Sequence, residues 1–222
     1  DENNRLTYET TLSGDIGTED VTGDNSYRII QAHNVNNVTI DGLKITGAVN
    51  STENGGGLFS NMSDLTLRAL TIEGNEALHG AGLYVDDTTL TLIDSRIYAN
   101  HALSTGGGMR TDSTCDATVI NTLFVSNEAD DGDAVFAGGN GDSLVRFINS
   151  TIVNNDTVLY SGGVSVAYGT VTLRNSILWN NSGTQASTRG NNAYLVAGSD
   201  NLIDVDPQFL RDPSGGDYGD LR

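Results

Sequence analysis

The feature that most constrains this chain is a repeat of 25 to 28 residues. Setting one short apolar strand in register gives Ile40, Leu67, Leu92, Val119, Phe147 and Leu173, spaced 27, 25, 27, 28 and 26 positions apart. Most register residues sit near the start of a similar phrase, seen in LTLRALTIEGN, LTLIDSRIYAN, ATVINTLFVSN, VRFINSTIVNN and VTLRNSILWNN. A unit this short cannot close a core alone, so the copies must stack and each coil must cover its neighbour.

Two landmarks divide each coil. Eight residues past the register point stand Asn75, Asn100, Asn127, Asn155 and Asn181, with Ala48 in the first coil. Asn tolerates left-handed backbone and can bond through its amide to the coil above, so a ladder of asparagines at one corner is expected. Small residues, often paired glycines, precede Leu58, Leu83, Met109, Val135, Val164 and Tyr194, and let the chain turn and re-enter a strand close to its neighbour. Strands of three to six residues between such corners, without a 3.6-residue period, exclude helices. The predicted class is all-β, a single-stranded right-handed parallel β-helix of about six full coils plus terminal caps. Residues 1–37 are expected to form an N-terminal cap and a possible first coil, 38–198 the coils, and 199–222 a C-terminal coil or tail.

Composition suits a narrow core: 37% hydrophobic and 6% aromatic, with 27 Gly and 2 Pro in 222 residues. Lys and Arg number 11 against 29 Asp and Glu, a net charge of −18, which excludes nucleic acid or an anionic membrane as a charge-driven partner. No apolar run is long enough to span a bilayer, and no export leader opens the sequence. The single Cys115 excludes an intramolecular disulfide.

The phrases GGGLF, GAGLY, GGGMR and SGGVS, with their Asn corners, resemble the right-handed β-helix repeat domains of bacterial surface proteins, including the polymorphic membrane proteins. TTLSGDIG, DNSYRII and VTIDGLKITG at the start, and NLIDVDPQF and GGDYGDLR at the end, resemble anchored extracellular β-helix proteins. The resemblance implies an extracellular or cell-surface location. It does not fix an activity, because adhesins, polysaccharide lyases and uronan epimerases share such coils. The epimerases carry an Asp-Pro-His phrase, whereas here Asp206-Pro207 and Asp212-Pro213 are followed by Gln208 and Ser214.

Strand alternation predicts two outward rows. The first comprises Phe59, Tyr84, Arg110, Phe136, Ser165 and Leu195. Its Phe59, Tyr84, Arg110 and Phe136 are candidates for binding an acidic polysaccharide, since rings stack on sugars and guanidinium grips a uronate. The second row, at the strand ending on the Asn corner, becomes apolar along the solenoid through Leu123, Val125, Val153, Ile177 and Trp179. Such a stripe needs a cover: the tail, through Phe209, Leu210 and Tyr218, or a second copy of the chain or a surface protein.

Candidate catalytic groups are scattered. His33 precedes the first full coil, His79 and His101 follow adjacent Asn corners, and Arg68 and Arg174 share a register position four coils apart. Asp130, Asp131 and Asp133 are candidate Ca²⁺ ligands, with Asp86 and Asp87 a second acidic pair. Gly138 to Val145 approaches a Ca²⁺-binding nonapeptide, but the motif does not repeat. Two readings result: a non-enzymatic surface module such as an adhesin, stalk or assembly component, or a β-helix that binds, cleaves or epimerises acidic glycans.

Overall fold

The structure is a computed structural model and describes residues 9–18, 21–139, 143–156, 160–190 and 192–207. It is a parallel β-solenoid of about six turns, with no α-helix among these residues. Three stacked parallel sheets form its faces. Face A joins Thr10–Ser13, Leu43–Thr46, Thr71–Glu73, Arg96–Tyr98, Leu123–Val125, Thr151–Val153, Ile177–Trp179 and Leu202–Ile203. Face B joins Ile30–His33, Leu58–Asn61, Leu83–Asp86, Met109–Asp112, Val135–Ala137, Val164–Val166 and Ala186–Thr188. Face C joins Val38–Asp41, Asp64–Arg68, Thr89–Ile93, Asp116–Ile120, Leu144–Ile148, Gly169–Arg174 and Ala193–Ala197. The chain runs B, C, A and then through a corner to the next B, so the coils span 30–57, 58–82, 83–108, 109–134, 135–163 and 164–185.

The repeat register of the sequence is the strand register of face C: Ile40, Leu67, Leu92, Val119, Phe147 and Leu173 pair in succession. Alternation then separates core from surface. Leu65, Leu90, Ala117, Val145 and Val171 point in, while Thr66, Thr91, Thr118, Arg146 and Thr172 between the two inward rows point out. Ile72, Ile97, Phe124, Ile152 and Leu178 fill the interior from face A, and Phe124 meets Phe147 edge-on at 6.0 Å.

A single left-handed residue bends the chain at most corners. At the end of face A these are Gly47, Gly74, Ala99, Ser126, Asn154 and Asn180. The ladder asparagines are therefore one position later than a left-handed role requires, and their work is hydrogen bonding. Asn75, Asn100, Asn127 and Asn155 each donate Nδ2 to the Oδ1 of the next, at 3.0, 3.1, 3.0 and 2.8 Å. Each Nδ2 also donates to a carbonyl of the preceding coil, from Ile45, Ile72, Ile97 and Phe124 respectively. Ala48 opens the ladder with its backbone N–H donating to Asn75 Oδ1 at 3.1 Å, and Asn181 ends it on Gln185 Oε1 at 2.8 Å. Side-chain hydroxyls also link coils at the corner from face C to face A, not expected from the sequence: Leu70 N–H donates to Ser95 Oγ, Thr122 N–H to Ser150 Oγ and Ser150 N–H to Ser176 Oγ.

The glycine landmarks have a steric cause. A Cβ on Gly82 would lie 2.4 Å from Gly108 O and 3.1 Å from Asn100 Nδ2, and one on Gly108 would lie 2.5 Å from Ala134 O. Glycine there lets one coil settle on the next and the amide ladder close behind it.

One register assignment is corrected. Tyr194 lies on face C opposite Thr170, and Leu195 opposite Val171, whereas face B continues through Ala186–Thr188. The last corner is only Ser182 to Gln185, without paired glycines, so the landmark that marks the other corners is missing. Face A also extends through Leu202–Ile203, in the segment expected to form a C-terminal coil or tail. The first face B strand is Ile30–His33, and the earlier strand Thr10–Ser13 pairs with Leu43–Thr46 on face A.

Candidate functional site

The outward row of face B is Gln31, Phe59, Tyr84, Arg110, Phe136, Ser165 and Ser187. Stacking brings its aromatic and cationic groups face to face. The Phe59 and Tyr84 rings are parallel within 2°, with centroids 5.4 Å apart. The Arg28 guanidinium lies over the other face of Phe59 at 4.3 Å, and Arg110 stands between Tyr84 at 5.9 Å and Phe136 at 5.1 Å. Tyr84 and Phe136 are only 7% and 9% exposed.

A polar cluster is built around Arg110. Asp112 shares its outward parity on the same strand, and its Oδ2 accepts the Tyr84 hydroxyl at 2.8 Å and Arg110 Nη2 at 2.9 Å. Arg110 Nη1 donates to Thr105 Oγ1, which lies 2.9 Å from His79 Nδ1, while His79 Nδ1 and Arg110 Nη1 are 3.3 Å apart. The neighbouring Asp86 accepts Asn61 Nδ2 at 2.7 Å. Burial pushes the His79 pKa down to about 4, and Arg110 pushes in the same direction, so the ring is neutral and Nδ1 accepts the Thr105 hydroxyl. Burial, followed by the bond to Asp112, raises Tyr84. Burial also tends to raise Asp112, but Tyr84 and Arg110 outweigh it and hold the carboxyl below its usual range.

This arrangement neutralises itself. The Tyr84 phenol is bound to a carboxylate that keeps it protonated, Asp112 is occupied, and two of the guanidinium nitrogens of Arg110 donate within the protein. Ring faces suited to a sugar are taken by neighbouring coils at Phe59 and Tyr84. The thiol of Cys115, pushed up to about 11 chiefly by burial, keeps its proton, and Val85 O and Asp112 O, both 3.0 Å from Sγ, are its available acceptors.

No family model, curated protein or solved structure matches this chain.

The remaining candidate residues fall in separate places. His79 aligns with Asn54 and Thr105, whereas His101 aligns with Glu76 and Glu128, so the two histidines stand in different rows of the corner. Arg68 and Arg174 do share a row on face C, with Ile93, Ile120 and Ile148 between them, and Arg68 pairs with Asp41. On face A, Val125 and Val153 are fully buried and Leu123 is 8% exposed, with Tyr98 and Trp179 packed against them. The middle of this stripe is thus buried within the chain. Ile177 and Trp179 retain partial exposure. The proposed tail contacts Phe209, Leu210 and Tyr218 lie outside the described residues, as do Asn140 to Asp142 of the nonapeptide-like stretch.

Among the described residues no three His, Cys, Asp or Glu side chains gather as a metal centre. Asp131 Oδ2 meets Arg189 at 3.1 Å and accepts Ser165 Oγ at 3.2 Å, whereas Asp133 Oδ1 accepts the Ala129 N–H at 3.0 Å. Asp130 is exposed and Asp87 forms a left-handed corner. Sequence reasoning missed Arg28, His79 and Asp112 as partners of the face B row. For Asp112 a signal existed, since Arg110 and Asp112 are two apart on one strand and share a face.

Proposed function

We propose that this chain is a non-catalytic extracellular or cell-surface solenoid module that presents a rigid face to a partner, as a stalk, adhesin or assembly component. The observation that carries this reading is the mutual pairing of Tyr84, Arg110, Asp112, Thr105 and His79, which ties these groups to one another and leaves none of them aimed outward as a base or oxyanion stabiliser. The resemblance of the coils to bacterial surface β-helix domains and the acidic charge of −18 agree with an extracellular setting. Incubation with alginate, pectate and chondroitin in the presence of Ca²⁺ tests it. No absorbance at the unsaturated-uronate band is expected, and a steady rise overturns the reading.

A second reading, non-covalent binding of an acidic glycan along Phe59 to Phe136, is favoured by one observation: Phe59, Tyr84, Arg110 and Phe136 stand in register on one outward row. Calorimetric titration with oligouronates separates the two. Heat of binding that disappears in Arg110→Leu without a loss of thermal stability supports the glycan reading.

A further inference from the structure

Two residues before the five inner face B strands, the coils carry Gly56, Ala81, Gly107, Asp133 and Gly162. This position points into the next coil. A Cβ on Gly56 would lie 2.8 Å from Glu76 O and 2.9 Å from Ala81 O, and one on Gly107 would lie 2.4 Å from Glu128 O and 2.7 Å from Asp133 O. Coil four alone places a carboxyl there. Asp133 is 0% exposed, its Oδ1 accepts the Ala129 N–H, and its Oδ2 is buried without a partner.

The surroundings favour the uncharged acid. Glu128 and Asp131 on its own loop and Asp156 on the next coil all bear on Asp133 as negative charges. Arg189 is paired with Asp131. An ionised carboxylate here would be desolvated and surrounded by like charges.

We propose that Asp133 binds a proton in the folded chain at neutral pH and makes the corner between coils four and five a pH-sensitive latch, which loosens when the carboxyl ionises. Burial first, and then the three acidic neighbours, carry its pKa up to about 8. Because the folded chain holds a proton that the unfolded chain releases near the ordinary carboxyl value, this contribution to stability is complete below pH about 4. It is lost progressively as pH rises to about 8.

The test compares the native chain with Asp133→Asn, which keeps the acceptor for Ala129 and cannot ionise, in urea unfolding from pH 5 to 9. The unfolding constant of the native chain should climb relative to that of Asp133→Asn by up to about tenfold per pH unit, levelling above pH 8. A ratio independent of pH overturns the proposal. Should Asp133→Asn not fold, Asp133→Gly restores the residue found at three equivalent corners and serves the same comparison. Amide exchange at pH 9 locates the effect: faster exchange over 128–134 in the native chain than in the variant, with no difference over 64–68, supports a latch, and equal exchange at both overturns it. Addition of Ca²⁺ at pH 8 provides the last arm. A rise in Tm of the native chain that is absent from Asp133→Asn would mean that the ionised carboxylate holds a metal, and the proton-bound reading would fall.

Discussion

A single asparagine in this solenoid does the work of several backbone groups. Asn127 donates Nδ2 to Ile97 O and Asn155 Oδ1, while its Oδ1 accepts both the backbone N–H and the Nδ2 of Asn100. All of this lies at 0% exposure, so water cannot replace a lost partner. Asn127→Ala should therefore cost about 2 to 3 kcal/mol, measured by urea unfolding, at the upper end for one stranded buried group. Asn127→Asp is the sharper comparison, because it keeps the acceptor and loses the donor. Its second oxygen would face Ile97 O and Asn155 Oδ1, and it should be no more stable than the alanine variant. A cost within error for both would mean that the corner is hydrated. The ladder was legible in the sequence because its members recur eight positions after a buried apolar residue. Its conformational assignment was not. A spacing tells which residue repeats, but not whether that residue or the one before it turns the chain, and the left-handed backbone falls on positions as unlike as Gly74, Ala99 and Asn154.

At the scale of the strand, face B shows what stacking adds to alternation. Parity alone put Phe59, Tyr84, Arg110 and Phe136 on one outer row. Their partners come from elsewhere: Arg28 from the chain before the first face B strand, and His79 and Thr105 from corners. Such contacts depend on which loop folds over which coil, and no repeat phrase encodes this. The same limit explains Leu195, whose alternating Ala-Tyr-Leu-Val context resembles a face B strand but follows a corner too short and too poor in glycine to mark the true one. The cluster gives the protein an acid-sensitive limb. His79, with a folded pKa of about 4, favours the folded state fully above its unfolded value of about 6.5, and this contribution fades as pH falls toward 4. Solvent screening of the half-buried ring limits it to about 1 kcal/mol. Asp112, held below its usual value, adds a further loss at still lower pH. Between pH 4 and 6.5 the slopes of His79 and Asp133 oppose each other, and above this range only that of Asp133 remains. His79→Gln should expose a continuous decline in Tm from pH 4 upward, where the native chain is flatter. An unchanged profile would show that the His79 ring is solvated. Tyr84→Phe, which takes one donor from Asp112, should cost about 1 kcal/mol at pH 7 and move the acid loss to higher pH.

For the whole molecule, stability is a sum over coils and the junctions between them, and the register decides whether a coil can be removed. Arg96 pairs with Leu123 on face A, 27 positions later, and every ladder in between advances by one rung over the same interval. Excision of 96–122 joins Ser95 to Leu123. It brings Asn75 under Asn127, Tyr84 under Phe136 and Leu92 under Phe147, so each inward residue meets an inward residue. The shortened chain should fold, keep its circular-dichroism signature of strand and unfold with a urea m-value lower by about one eighth, since m follows the surface exposed. Excision of 96–121, shorter by one residue, leaves Thr122 where Arg96 stood and carries the following side chains toward the opposite face. That chain should fail to give a cooperative transition. If both deletions unfold alike, the coils are held by nonspecific collapse. If only the 27-residue excision survives, the in-register ladders of Asn, Ser and core residues are what make the stack specific.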